Sequence, residues 1–517
     1  MKDNSRLFLF AIGGTGARVV RSLTMLLASG IDGLNSTIQV VPIIVDFDLS
    51  NGDKTRALSA LEKYNIINNA LYPDSAQNGV KYEDNYFMTR ITSLRNVGVI
   101  GANPLQADYQ MYFGPVGQVQ KFSDYLDTAT MGVQPDEKET LDLIKCLYDD
   151  SSSNDPDAEL ELDLAVGFKG NPNIGSVVFH NIDKTDEFKH LVGSFTANDR
   201  IFIVSSIFGG TGSSGFPEIV NAIRRCQQNT ALENANIGAA VVLPYFGLQQ
   251  PKPGTADTGA IDATSFNAKA RAALSFYANH LNNKINSLYY VGDEIHDNLE
   301  YSEGSTNQHN PAHVVEFIAA TSIIDFMKND TPRPPHAYEY GIKDGKVGGF
   351  LSYSDFYEGT QGLYLDRLSE FAFGMKFYRD VVYGDRSQVS SATSYYSSNC
   401  YNLGANKNQT PYKEVAEFLD AANADDLSAW GFYPWLTELG SHAHKLSLYN
   451  MAPNNDMRFT FTYKGDEGIR VRGFNPAKDD KLNGNLNDLS RRLSVYDAKS
   501  FFKNLRTMSH TLFQSVK

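Results

Sequence analysis

Residues 201–225 read IFIVSSIFGGTGSSGFPEIVNAIRR, and this stretch limits the possible folds more than any other. The short apolar, β-branched run over 201–207 is how a strand buried on both faces reads. Gly209-Gly210-Thr211-Gly212-Ser213-Ser214-Gly215 then strips almost every Cβ from a seven-residue turn. Pro217 and Glu218 supply helix-start signals. Ile219, Val220, Ala222 and Ile223 fall at helical spacing, and Arg224 and Arg225 mark the far end. A strand, a glycine turn and a helix N-terminus make an anion site. Bare N–H groups converge there, the helix dipole adds partial positive charge, and missing side chains let a phosphate approach. Thr211, Ser213 and Ser214 add hydroxyl donors. The structural alternative is a tight connection whose glycines serve only the turn, and the length and flanks of the run favour phosphate.

The spacing excludes a P-loop, because no Lys follows Gly215. Gly210, Gly212 and Gly215 do fit the dinucleotide fingerprint, but they lie deep in the chain and no strand-end acid follows about 20 residues on. The N-terminus repeats the same logic. A strand over 7–12 meets Gly13-Gly14-Thr15-Gly16, and a helix is expected from Ala17 to about Ala28, stopped by Gly30. Arg18 or Arg21 is placed to approach a phosphate or, alternatively, to sit as an exposed helix charge. A dehydrogenase also begins this way, which keeps a dinucleotide-dependent oxidoreductase among the alternatives. A second strand, 38–45, ends in Asp46-Phe47-Asp48. A carboxylate there suits a ribose hydroxyl or a water on Mg²⁺, or else caps the next turn.

Further strands read at 237–243 and 287–291, with a helix over 265–281 between them. Asn310-Pro311 opens a helix that is apolar almost all round and therefore buried. His309 and His313 have helical i, i+4 spacing, but no third ligand lies nearby in sequence and no metal site is expected. The acid-rich stretch 134–163 reads as a solvated loop or insertion, and GFKGNPNIG at 167–175 as a turn without assigned chemistry. Beyond a Pro/Gly-rich hinge after residue 330 come helices near 359–380 and 412–423. A hairpin follows, with its turn at 465–468, and then a terminal amphipathic helix with bases, which suits docking on a membrane or partner or, more simply, packing on its own domain.

The chain has 517 residues, 42% hydrophobic and 21% charged, with net charge −14. This is the balance of a soluble globular protein, and the acidic charge excludes nucleic acid as the main partner. Cys146, Cys226 and Cys400 are isolated, which fits a reducing cytoplasm and suggests neither disulfides nor zinc. No run reaches the ~20 apolar residues of a membrane span.

The GGTGSSG stretch resembles the GGGTGSG-type signature of the tubulin/FtsZ superfamily, where it cradles the phosphates of GTP. VPIIVDFD is similar to the second loop of FtsZ proteins, and Gly101-Ala102-Asn103-Pro104 resembles the loop they wrap round the γ-phosphate. The order of strands and helices up to about residue 330 agrees as well, and the chain looks like one of the divergent bacterial tubulin-like families. The resemblance implies an α/β fold with a Rossmann-like parallel-sheet GTPase domain over 1–308, carrying an insertion at about 60–195. A long central helix over 309–330 and a smaller C-terminal α+β domain over 331–517 complete it. It implies GTP or GDP with Mg²⁺, held by Gly13, Gly14, Thr15, Gly16, Arg18, Asp46, Gly101, Ala102, Asn103, Gly209, Gly210, Thr211, Gly212, Ser213 and Ser214. Asn310, with His313 and Glu316 behind it, stands where the family recognises the base; a plain N-cap is the alternative. Head-to-tail self-assembly in the cytoplasm, with an accessory or membrane-associated partner, follows by the same resemblance. Hydrolysis in the family is completed by an acid from the neighbouring subunit, in an N-x-D-x-x-D motif. No such motif follows residue 328 here. Asp330, Asp344 and Asp355 are the acids available, and Asp330 and Asp355 are taken as the catalytic candidates. GTPase activity therefore stays open beside a nucleotide-binding scaffold that does not hydrolyse.

Overall fold

The computed structural model describes residues 3–48, 50–74, 80–98, 105, 107–112, 121–131, 135–148, 159–249, 265–295, 297–299, 308–328, 335–340, 350–351, 361–379, 383, 409–420, 429–446, 449–451, 459–461, 473–474 and 497–516. β1 (Arg6–Ile12) runs into α1 (Gly13–Ala28), and β2 (Gln39–Val45) leads to α2 (Gly52–Leu71). Two short strands, β3 (Arg90–Ile91) and β4 (Gln110–Met111), both lie along β2. After α3 (Pro172–Phe179) come β5 (Arg200–Ser206), α4 (Gly210–Arg224), β6 (Asn236–Val242), α5 (Phe266–His280), β7 (Ser287–Val291), α6 (Val314–Lys328) and β8 (His336–Tyr340).

These strands form one parallel sheet in the order β8-β7-β6-β5-β1-β2-β3, with β4 beside the end of β2. The chain builds outward from β1 through β2 in one direction, then returns to β5 and builds outward in the other. The border between β1 and β5 is thus the switch point at which open α/β sheets bind ligands. Both faces of the sheet are covered. Leu7, Leu9 and Ala11 of β1 enter one core, and Phe8, Phe10 and Ile12 enter the other, as the period-2 alternation of a strand requires.

The first core holds α1, α2 and α6 together with α7 (Asp366–Phe377), α8 (Tyr412–Asp420), α9 (Phe432–Leu439) and α10 (Ala498–Val516). Phe371 meets Phe87, Phe418 meets Phe87, and Trp435 Nε1 donates to Ser22 Oγ at 3.1 Å. The described helices of the stretch expected as a second domain therefore pack on the α1–α2 face of the sheet, and β8 from the same stretch is the sheet's edge strand. The expected hairpin is present, with Phe459 opposite Phe474. The terminal helix packs on the chain's own core through Phe501, Phe502, Leu505 and Met508. Pro135–Leu147, expected as part of a loop, is a helix.

α6 is buried nearly all round, between Phe202 of the sheet (ring contact with Phe326, 5.4 Å) and Trp435 (ring contact with Phe317, 6.4 Å). It starts at Val314, four residues later than Asn310-Pro311 suggests. A residue before proline is held out of the helical region. The start is set by His313 and Glu316: Val315 N–H donates to His313 Nδ1, and His313 N–H to Glu316 Oε2, a reciprocal capping arrangement.

Candidate functional site

Two helices open at the switch point. α1 begins at Gly13, directly after β1, and α4 at Gly210, so both glycine stretches are first turns of helices rather than loops ahead of them. The expected starts at Ala17 and Pro217 are corrected accordingly. Gly13 makes the first start possible by taking φ +69°, which turns strand into helix within one residue. Gly212 allows the second, since a Cβ there would lie 2.3 Å from the Ser206 carbonyl oxygen. Pro217 sits inside α4, and its missing N–H leaves the carbonyl of Ser213 without a helical partner. The hydroxyl of Tyr277 donates to that carbonyl at 2.9 Å. This substitute lets a proline that reads as a helix start occupy a helix interior.

Neither helix has a side-chain cap, and neither carries an acid in its first turn. The first N–H groups of a helix have no partner within it, and its N-terminus carries about half a positive charge. Two such ends face one cleft, lined by Gly13, Gly14 and Thr15 on one side and Gly209, Gly210, Thr211 and Gly212 on the other. Arg18, Asp46 and Asn310 also line it. Gly16 does not; a Cβ there would strike Ala11 at 2.6 Å, so its place is in packing α1 onto β1.

Ser213 and Ser214, expected as phosphate donors, are turned to their own helix. Ser213 Oγ donates to the Gly209 carbonyl and Ser214 Oγ to the Gly210 carbonyl. The physical reason is the early helix start, which places carbonyls four residues back within reach of both hydroxyls. Gly101, Ala102 and Asn103, and the acids Asp330 and Asp355, lie outside the described residues.

Arg18 is also redirected. It is buried, with Nε donating to Glu316 Oε1 at 2.5 Å, Nη1 to Asp53 Oδ2 at 2.6 Å and Nη2 to the Tyr245 hydroxyl at 2.8 Å. Burial opposes its charge, but Tyr245, Glu316 and Asp53 outweigh that and raise its pKa. It is the floor of the cleft, bound to carboxylates. Asp53 in turn accepts from Arg56 and from both the backbone N–H and Nδ2 of Asn310, at 2.9 and 3.2 Å for the last two. Asn310 is therefore clamped from below, not acting as an N-cap. Glu438 of α9 joins the same network through Arg21 and Arg56. Burial pushes the Asp46 carboxyl up to about 7, with Lys54 pulling in the opposite direction.

Gly167, Phe168, Lys169 and Gly170 line the cleft as well, as do Asp48, Asn51, Phe246, Phe266 and Gln308. The 167–170 turn was assigned no chemistry, although Gly167, Lys169 and Gly170 all take positive φ. Its glycines signal a tight turn, but nothing local says that it folds over α4, where the backbone N of Gly170 lies 3.1 Å from the position a Cβ on Gly210 would take.

Residues 178–422 match a family model described as "Tubulin like". Over those residues, just under half of the chain, it is similar to tubulin-like proteins. Among solved structures, this chain is similar to CetZ from Methanosaeta thermophila, at 13% identity and a TM-score of 0.27, over 63% of this chain and 54% of that one. It is also similar to a variant FtsZ from M. jannaschii, at 14% identity and a TM-score of 0.25, over 63% of this chain and 55% of that one. It thus spans about half the length of either structure. Among curated proteins none matches. Among the described residues, no helix is long and apolar enough to cross a membrane.

Proposed function

We propose that this tubulin-like protein binds GTP with Mg²⁺ at the β1/β5 cleft, assembles head to tail into filaments, and completes GTP hydrolysis at the interface between subunits. The observation that carries the reading is the convergence of two uncapped, acid-free helix N-termini on one cleft. Side-chain caps and first-turn acids are what a helix uses to satisfy itself. Their absence at both ends leaves two sets of donors for an external anion, and a polyphosphate is long enough to use both. A dinucleotide site of the dehydrogenase type shares the sheet order but needs only the first of these ends.

The chain's own residues divide the work. The first turns of α1 and α4 hold phosphate oxygens through N–H groups. Asp46, at the end of β2, is the residue that would hold the cation through water. When bound, Mg²⁺ offsets phosphate charge. Phe246 and Phe266 offer apolar walls to a base. With Nδ2 of Asn310 donating to Asp53, its Oδ1 is left as an acceptor, which suits the N–H edge of guanine. The sequence lacks an N-x-D-x-x-D motif after residue 328, and that favours a second reading in which the protein binds and assembles without turnover.

The test is GTP and ATP turnover at rising protein concentration, with sedimentation of the same samples and of Thr211→Asp. A specific GTPase rate that climbs with concentration, alongside pelleting, supports the full proposal. Pelleting without phosphate release selects the second reading. Thr211→Asp puts a carboxylate in the first turn of α4. It is expected to lower nucleotide affinity at least ~100-fold while leaving the melting temperature equal or higher, because the acid complements the dipole. Unchanged affinity would remove the site.

A further inference from the structure

Three segments far apart in the chain bring ligand-type atoms together beside the nucleotide cleft. Asp297 comes from the loop after β7, His313 from the start of α6, and His442 from the loop after α9. Asp297 Oδ2 lies 3.4 Å from His442 Nδ1 and 3.7 Å from His313 Nε2, and one ligand atom from each of the three residues lies within 4.8 Å of the others. Both imidazoles are buried, while the Asp297 side chain keeps 22% of its surface exposed.

The hydrogen bonds make this an unusual cluster. His442 Nε2 faces the carbonyl of Ala312 at 3.0 Å, so that nitrogen carries the proton and donates it. The other nitrogen, Nδ1, then points its lone pair at a carboxylate oxygen. Two acceptors at 3.4 Å repel unless a cation sits between them. Asp297 is oriented from behind by the N–H of Ala443, at 3.0 and 3.1 Å to its two oxygens.

We propose that Asp297, His313 and His442 form a site for a divalent transition-metal ion of the zinc class. The donor set is two imidazoles and one carboxylate, with room for water at the exposed edge, and it suits such ions rather than Mg²⁺ or Ca²⁺. Metal–ligand bonds of about 2.0–2.1 Å in tetrahedral geometry place ligand atoms ~3.3 Å apart; the two distances to Asp297 lie close to that. The backbone carbonyl on His442 Nε2–H is the usual outer support that fixes the tautomer of a ligating histidine. His313 must switch tautomer: its Nδ1 accepts from Val315 N–H at 3.2 Å, a contact given up when Nε2 ligates. The rival occupant is a second proton on His442. A metal here ties the loop after α9 to the start of α6, one helical turn from Glu316 and its bond to Arg18. The site is independent of whether the cleft takes a nucleotide.

The full-length protein, stripped with chelator, is titrated with Co²⁺ alone and then with Zn²⁺, while the visible absorption of Co²⁺ and the melting temperature are recorded. One equivalent of Co²⁺ is expected to give an intense visible band that Zn²⁺ abolishes, and either metal is expected to raise the melting temperature. His442→Ala is expected to weaken binding by more than the ~10–100-fold that loss of an outer-shell partner costs, whereas His280→Ala, on the exposed face of α5, retains the band. No band in the parent protein, with no thermal shift, would overturn the proposal in favour of a protonated His442, as would an equal band in His442→Ala. If His442→Ala does not fold, the stoichiometry and thermal shift of the parent decide alone: one equivalent with a shift supports the site, and neither overturns it.

Discussion

Asp53 shows how much one buried carboxylate can organise. It accepts from Arg18, Arg56 and twice from Asn310, so the floor of the cleft and the residue above it share one anchor. Asp46 has no comparable set of donors. Burial raises Asp46 to about 7 in the folded chain from the ordinary 3.8 of an aspartate. Between these two values the folded protein keeps a proton that the unfolded chain releases, so stability falls as pH rises through that window. Asp46→Asn removes this fall. In nucleotide-free protein, the variant is expected to melt a few degrees above the parent near pH 8, with the gap closing toward pH 5. Thermal scans at three pH values check it, and a gap independent of pH refutes the assignment.

The helices carry the next lesson. Strands β1, β2, β5, β6 and β7 were legible, because a short β-branched run between turn signals states its own burial; the two-residue β3 and β4 carry no such run and were not. Glycines line the cleft from both helix starts. The start of α4 was misread because Pro217 and Glu218 carry the local signs of a first turn, while the partner that makes an interior proline acceptable, Tyr277, comes 60 residues later. Ser213 and Ser214, read as phosphate donors, have their hydroxyls on carbonyls of that same first turn. The same limit hid Asp53, Glu438 and the 167–170 turn, whose functions are contacts across the fold, and left His313 without its partners Asp297 and His442. Tyr277→Phe is expected to cost about 1 kcal/mol, because the Ser213 carbonyl loses its donor. Adding Pro217→Ala in that background restores a backbone N–H to the same carbonyl and should recover most of the loss. A denaturant-unfolding cycle over the four proteins measures the coupling, and simple additivity would sink the account.

For the molecule as a whole, one core unites residues from β1 to α10. The sheet alone does not bury α1 and α2; helices α7 to α10 cover their outer side. A fragment ending at residue 330 is therefore expected to be insoluble or to bind a hydrophobic dye strongly, even though it contains both glycine-rich helix starts. Soluble, cooperatively melting 1–330 protein would show that the C-terminal helices are an independent unit. The full chain should instead unfold in one transition that includes the region around Trp435, readable by its fluorescence.

The bonds from Trp435 to Ser22 and from Glu438 to Arg21 and Arg56 also set an order of events during synthesis. On the ribosome, Glu438 follows Arg21 by 417 residues and Arg56 by 382, and Trp435, which roofs α1, follows Ser22 by 413. Arg56 has Asp53 as a partner from the outset, but Arg21 waits for Glu438, so a nascent chain carries Arg21 without its carboxylate over several hundred residues of synthesis.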